Sequence, residues 1–193
     1  MQWYTIFVQT GNEERAAEEI KKCLSKTQYD ELYTILILKL VTFERYSGGK
    51  IVKKERAMFP GYLLLNTDHI QELYEMTLGC KNIIRFLKTE NDFLTVKEHE
   101  IEPLLMLSNE DNVIGSSEIF IENESVRVFS GPLLNYTGKI YKIDRRKQRA
   151  KVAFELNGKQ QLIDLPITIL EKINLKESKN MIDFAGKRQN VKC

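Results

Sequence analysis

The chain reads as an α+β protein of two unequal domains, an N-terminal α/β sandwich followed by a small β-barrel. Three observations predict this. Up to about residue 107, apolar residues recur at helical and strand spacings in alternation, whereas beyond about residue 122 only the two-residue strand period persists. Between them lies a polar, acidic stretch that opens Ser108-Asn109-Glu110-Asp111-Asn112 and passes through Gly115-Ser116-Ser117. The charge also changes sign, from −2 over residues 1–105 and −3 over 106–121 to +4 over 122–175 and +3 over 176–193. The expected organisation is therefore a domain over 1–107, a linker over 108–121, a barrel over 122–175 and a basic tail over 176–193. The tail, with Met181, Ile182 and Phe184 among its basic residues, fits a short helix or a mobile tail equally well.

The elements follow in order. Trp3 to Gln9 is rich in aromatic and branched residues and predicts a strand, with Trp3 and Phe7 on one face and Tyr4, Ile6 and Val8 on the other. Thr10-Gly11-Asn12-Glu13 has the spacing of a capping box, and Ala16, Ile20, Cys23 and Leu24 then mark one helical face. Leu36 to Phe43 predicts a second strand, Gly48-Gly49 a turn, and Ile51-Val52 a short return strand. Phe59-Pro60-Gly61-Tyr62-Leu63-Leu64-Leu65 reads as a strand entering mid-sheet, with Pro60 at its start, where a missing N–H does least harm. A helix is expected over Asp68 to Leu78, a strand over Ile83 to Leu87, and a third helix from a capping box at Thr95-Val96-Lys97-Glu98 through Leu107. In the second half, turn signals at Gly131-Pro132, Gly138, Asp144 to Gln148, Asn157-Gly158 and Pro166 divide residues 124–173 into about five strands with no helix.

Several function classes are excluded. No apolar run reaches the ~18 residues that a membrane-spanning helix needs, and the longest, Ile35 to Val41, is interrupted by Lys39. The first residues lack a basic stretch followed by an apolar core, so no secretory signal is read and a cytoplasmic setting is expected, with no membrane partner. Cys23, Cys80 and Cys193 are odd in number, far apart in sequence and form no C-x-x-C, which predicts reduced thiols and no structural zinc. The two histidines, His69 and His99, belong to no metalloprotease motif, and there is no nucleophile elbow and no phosphate-binding loop. No enzymatic activity, cofactor or metal is expected.

Gly131 to Ile140, preceded by Val126-Arg127-Val128 and followed by Lys151-Val152, Asn157-Gly158-Lys159 and Ile169 to Ile173, resembles the KOW motif of transcription elongation and ribosomal proteins. Trp3-Tyr4-Thr5-Ile6-Phe7, the helix start at Gly11-Asn12-Glu13 and Phe59-Pro60-Gly61-Tyr62-Leu63 resemble the N-terminal domain of the NusG family. The two resemblances, in that order, cover almost the whole chain. They imply a bacterial NusG-like elongation factor with a polymerase-binding α/β domain and an SH3-like KOW barrel. By motif position, the family's apolar contact with the clamp helices of bacterial RNA polymerase falls on Trp3, Met58, Phe59 and Tyr62. Each of the four is singly as compatible with a core position as with a contact. Lys53, Lys54 and Arg56 lie near enough in sequence to touch DNA of the transcription bubble, the non-template strand included, although a solvated strand end is the simpler reading.

Two departures matter. Housekeeping members carry a Phe after the Gly-Pro and another before the later Gly, through which their KOW domain engages Rho or a ribosomal protein; this chain has Leu133 and Asn157. That difference points toward a specialised paralog of the LoaP or RfaH type, an operon-specific antiterminator. What the chain gains is basic: Lys139 to Lys151 holds seven cations and one acid, Asp144. Lys142, Arg145, Arg146, Lys147, Arg149 and Lys151 are the candidate contacts to nascent RNA, a leader hairpin whose loop exposes base edges that a regular stem hides. A solvated hairpin tip is the alternative. A general elongation or pausing factor without RNA preference, and a ribosome-associated RNA-binding protein, are the rival functions.

Overall fold

The computed structural model describes residues 1–122, 125–170 and 188–190. In chain order they form β1 (Gln2–Val8), α1 (Glu13–Leu24), β2 (Tyr33–Leu36), β3 (Lys39–Arg45), β4 (Ile51–Ala57), β5 (Tyr62–Thr67), α2 (Ile70–Thr77), β6 (Ile83–Phe86), β7 (Thr95–Val96) and α3 (Glu98–Leu107). There follow β8 (Val113–Ile114), β9 (Ser117–Glu122), β10 (Ser125–Ser130), a 3₁₀ turn over Pro132–Leu134, β11 (Ile140–Asp144), β12 (Arg149–Leu156), β13 (Lys159–Ile169) and β14 (Arg188–Asn190). The content is mixed α/β, mostly strands with few helices. The chain divides into two units, Met1–Lys39 with Glu55–Leu104, and Leu40–Lys54 with the residues from Leu105 onward. The 40–54 hairpin thus groups with the second unit, although it lies inside the stretch expected as the first domain.

In the first unit an antiparallel sheet runs β2-β5-β1-β6, with β7 pairing β1. One face is apolar throughout: Ile6, Val8, Leu63, Leu65 and Phe86 pack against Ala16, Ala17, Ile20 and Leu24 of α1 and Leu73 of α2. Helix α1 suits its place, with Glu13 and Glu14 in the first turn and Lys21 and Lys22 in the last, each complementing the helix dipole. The opposite face carries Trp3, Thr5 and Phe7 of β1 opposite Asn66, Leu64 and Tyr62 of β5.

Pairing partners explain where the elements depart from the sequence reading. The run expected as one strand from Leu36 to Phe43 breaks at Ile37-Leu38, because β2 pairs β5 whereas the Leu38 carbonyl accepts from the Met58 N–H at 2.7 Å. No glycine, proline or other turn residue falls between Leu36 and Lys39 to mark such a change. The return strand β4 continues through Lys53, Lys54, Glu55 and Arg56 to Ala57, charged residues that the alternation rule discounts. Strand β5 starts at Tyr62, since Pro60 and Gly61 form a turn. Thr95 pairs with Tyr4 instead of capping α3, and the Glu100 carboxylate takes the capping role by accepting from the Lys97 N–H at 2.9 Å.

The second unit holds a short β4-β3-β8 sheet and a six-stranded sheet in the order β11-β12-β13-β9-β10-β14, antiparallel except where β13 meets β9. Strand β9 lies within the stretch expected as a linker: Ser117 and Ile119 alternate inward against β10 and β13. The turn read at Pro166 is instead inside β13. Pro166 opposes Arg149, the first residue of β12, and from Ile167 onward the strand pairs Ser117 of β9. Proline therefore sits where the strand changes partner and needs no ladder N–H. Gly131 has φ +85°, and a Cβ there would come within 2.6 Å of the Ser116 carbonyl, so this corner requires glycine. The tail expected over 176–193 and the end of the barrel beyond Leu170 lie outside the described residues, apart from β14.

The turn that precedes β5 is fixed by one carboxylate. Glu13, 8% exposed, accepts from the Gly61 N–H at 2.7 Å and the Gly11 N–H at 3.1 Å. Burial alone would raise its pKa, but the backbone hydrogen bonds from Gly61, Gly11 and its own N–H together outweigh that and hold the carboxyl below its ordinary value. Its stabilising contribution is therefore complete above the unfolded-state pKa near 4.5 and is lost as pH falls through the lower folded value. Glu13→Ala is expected to cost about 1–3 kcal/mol at pH 7 in urea unfolding and to flatten the acid limb of stability against pH. Gly61→Ala is expected to destabilise by a similar amount, because φ is +84° and its Cβ would meet Thr10 Oγ1 at 2.8 Å.

Candidate functional site

Two surfaces carry the residues singled out from the sequence. The first is the turn Phe59-Pro60-Gly61-Tyr62. Proline fixes the first central position, Gly61 supplies the positive φ at the second, and the Tyr62 N–H closes the turn on the Phe59 carbonyl at 3.1 Å, the arrangement of a type II turn. The Gly61 carbonyl accepts from Val8 at 2.8 Å while its N–H is held by Glu13, so the turn is fastened to both β1 and α1.

The clamped turn presents its flanking aromatics unequally. Tyr62 is 40% exposed, Phe59 is half-buried, and Met58 is buried at 7% and adds little accessible surface. Trp3 is half-buried on the same face of the sheet as Tyr62, four positions along β1 from Phe7, with buried Thr5 and Leu64 between. Sequence reasoning missed the two residues that complete the exposed end. Phe7 packs on Tyr62 with ring centroids 5.2 Å apart, and the Arg85 guanidinium lies 5.7 Å from the Phe7 ring centre. Phe7 had the signal, since it alternates with Ile6 and Val8; Arg85 had none, because only strand pairing brings β6 alongside. Beside the turn opens a cleft of about 450 Å³ lined by Thr10, Glu13, Glu14, Lys39, Arg56 and Pro60. The Lys39–Glu14 ion pair, 2.6 Å, lies at its wall. Of the cations expected from the sequence to reach DNA, Lys53 and Arg56 are exposed, whereas Lys54 is bound to Glu44 at 2.7 Å, and that hydrogen bond raises its pKa.

The second surface is the β11–β12 hairpin. Asp144 and Arg149 close it, and the Asp144 carboxylate accepts from the Lys147 N–H at 2.9 Å, while Gln148 takes φ +50°. This turn chemistry thrusts Arg145, Arg146 and Lys147 outward, all exposed. Lys142 and Lys151 stand opposite each other across the strands, a like-charged pair that is relieved because Lys151 binds Asp164 at 2.7 Å. Arg149 is half-buried. Of the six candidate cations, the three at the tip and Lys142 are thus the most outward, and Lys151 is locally neutralised. Lys139, just before β11, lies 5.4 Å from the Tyr141 ring centre.

The two departures from the housekeeping pattern have distinct structural settings. Leu133 is buried at 3% and Leu134 beside it is exposed, so the position after Gly-Pro fills the core. Asn157 and Gly158 both have positive φ and form the tight β12–β13 turn. Among the exposed aromatics of this unit is Phe129 of β10, edge-on to Phe120 at 6.4 Å. Among the described residues no group of three or more His, Cys, Asp or Glu could hold a metal ion, and no helix is long and apolar enough to cross a membrane.

Comparison with known proteins agrees with this architecture. The chain is 24% identical over 172 residues to the transcription termination/antitermination protein NusG of Rickettsia felis, covering 89% of this chain and 90% of that one. It is 25% identical over 184 residues to the protein of the same name from Thermus thermophilus, covering 89% and 98%. A solved structure of Thermotoga maritima NusG shares the fold with a TM-score of 0.51 at 20% identity, over 86% of this chain and 93% of that one. The family model of the transcription termination factor NusG matches residues 1–105. With more than half of its length so matched, the chain belongs to the NusG family, which makes it a transcription factor and not an enzyme.

Proposed function

We propose that this protein promotes processive transcription of specific operons, binding RNA polymerase through its first domain and leader RNA through its second. Family members bind RNA polymerase. The observation that carries the reading is the clamped Pro60-Gly61 turn, which sets Phe59 before it and holds exposed Tyr62 beside Phe7 at the start of β5. Aromatic side chains in such positions bury large area at little entropic cost and are typical anchors of an interface. Trp3 extends the contact toward the polymerase clamp helices, buried Met58 precedes the turn, and exposed Arg56 and Lys53 are the candidate contacts to the bubble DNA.

In the same reading residues 1–107 are the polymerase-binding domain, 108–121 the connection, and 122–175 an SH3-like KOW barrel followed by the basic tail. The barrel's tip, Arg145, Arg146 and Lys147, grips RNA phosphates, with Lys142 and Arg149 flanking it; Lys151 orients Asp164 and contributes less. Buried Leu133 and the turn position of Asn157 leave no aromatic where housekeeping members engage Rho or a ribosomal protein, which supports the specialised LoaP or RfaH type. The mechanism is differential binding: the factor favours the closed, processive clamp and so raises the barrier to pausing and termination, in the cytoplasm and without a cofactor. Two tethered weak contacts act with high combined avidity. The relatives' shared name favours a second reading, a general factor acting alike on all operons with little RNA affinity.

Two experiments test the proposal. Tyr62→Ala and Phe59→Ala in the full chain are each expected to weaken binding to purified polymerase by about 2 kcal/mol, roughly thirtyfold, with the circular dichroism spectrum unchanged; full affinity in folded variants would remove the turn from the interface. Binding to leader RNA is expected to fall about two orders of magnitude over a fourfold salt increase if about four phosphates are neutralised. Replacing Arg145, Arg146 and Lys147 by Ala is expected to lower the salt slope by about three, and equal binding of unrelated RNA hairpins would favour the general reading.

A further inference from the structure

Cys23 and Cys80 are 57 positions apart in sequence, yet their Sγ atoms lie 3.2 Å from each other. The reading of isolated reduced thiols does not anticipate this proximity. The fold fastens them together from both sides. Cys23 follows Glu19 by four residues on α1, so the two project from one helix face. The Glu19 carboxylate accepts from the Asn82 N–H at 3.1 Å and from Asn82 Nδ2 at 2.7 Å, and the Asn82 carbonyl accepts from the Gln9 N–H at 2.9 Å. The Cys80 N–H donates to the Thr77 carbonyl at 3.0 Å, which continues the end of α2 into the turn. Cys80 is thus held against α1 by a hydrogen-bonded turn, itself buried at 8% exposure, while Cys23 faces solvent.

We propose that Cys23 and Cys80 are a thiol modification site, a paired dithiol that low-molecular-weight disulfides convert to an internal disulfide joining α1 to the turn between α2 and β6. The chemistry is two successive exchanges. The Cys23 thiolate attacks one sulfur of the small disulfide, a mixed disulfide forms on Cys23, and one small thiolate leaves. Cys80 then gives its proton to solvent and attacks Cys23 Sγ; the internal bond forms and the second small thiolate leaves. The protein loses two electrons and two protons, and the small disulfide is reduced to two thiols. Burial first, and then the hydrogen bond to Cys23, pushes the Cys80 pKa up to about 12, so the second exchange is the slower and the mixed disulfide precedes the product. Bonding requires the sulfurs to close from 3.2 Å to ~2.0 Å.

The test uses the full chain carrying Cys193→Ser, incubated with glutathione disulfide and followed by intact mass and peptide mapping. The expected result is a transient glutathione adduct on Cys23, then loss of two hydrogens, loss of both alkylatable thiols, and a cross-linked peptide containing Cys23 and Cys80 that dithiothreitol reverses. Adding Cys80→Ser is expected to arrest the reaction at the Cys23 adduct. A permanent adduct with Cys80 still alkylatable after denaturation, or two unmodified thiols, would overturn the proposal.

Discussion

A single buried carboxylate sets the geometry on which the first unit depends. Glu13 joins the start of α1 to the Gly61 N–H across 48 positions of sequence, and the turn it holds marks the start of β5, between β2 and β1 in the sheet. Three properties of the sequence converge there. Pro60 sets the first turn angle, Gly61 alone tolerates φ +84° against Thr10 and Phe7, and Glu13 supplies an acceptor for an N–H that burial would otherwise leave costly. The charge on Glu13 also suits the positive end of α1, so one side chain completes a helix terminus and a turn together. The aromatic edge formed by Tyr62 and Phe7 follows from that attachment.

The second unit is organised by a different constraint, the need of one long strand to serve two neighbours. Strand β13 pairs β12 antiparallel up to Pro166 and then β9 in parallel, and the proline removes a donor at the point where neither ladder requires one. The Gly131 corner and the Asn157-Gly158 turn return the chain tightly enough for Ile119, Val126, Ile140, Val152 and Leu165 to be buried. With so many apolar residues committed inward, the polar chemistry of the β11–β12 hairpin is left at its tip, where Asp144 organises the turn and three cations project. The proposed contacts of the two units thus both rest on turns whose shape is fixed by a carboxylate, Glu13 in one and Asp144 in the other.

Much of this was legible in the sequence because its signals are local. The two-residue period of β1 and β12, the helical face of α1 and the glycine and proline at the corners all mark their elements directly. What the sequence concealed is non-local. Ile35 to Val41 is apolar apart from Lys39 and holds no glycine or proline, so no turn residue marks the change of partner between β2 and β3. The spacing of Thr10 and Glu13 suggested a capping box, but the carboxylate bonds Gly61 instead, a competition that only tertiary contact decides. Pro166 was read as a break because proline usually is one, and its tolerance depends on which residue lies opposite. Arg85 beside Phe7, Lys151 on Asp164 and Cys23 against Cys80 are likewise products of strand pairing and helix packing, with no spacing signature to announce them.

The central claim is that Glu13 acts on polymerase binding by holding the turn that presents Tyr62, and a double-mutant cycle on polymerase affinity tests it most directly. With Glu13→Ala, Tyr62→Ala and the double variant all confirmed as folded, the account predicts non-additive losses: removing Glu13 weakens binding when Tyr62 is present and has little further effect once Tyr62 is gone. Equal losses from Glu13→Ala in both backgrounds would contradict it, because the carboxylate would then act on binding by a route that does not pass through Tyr62.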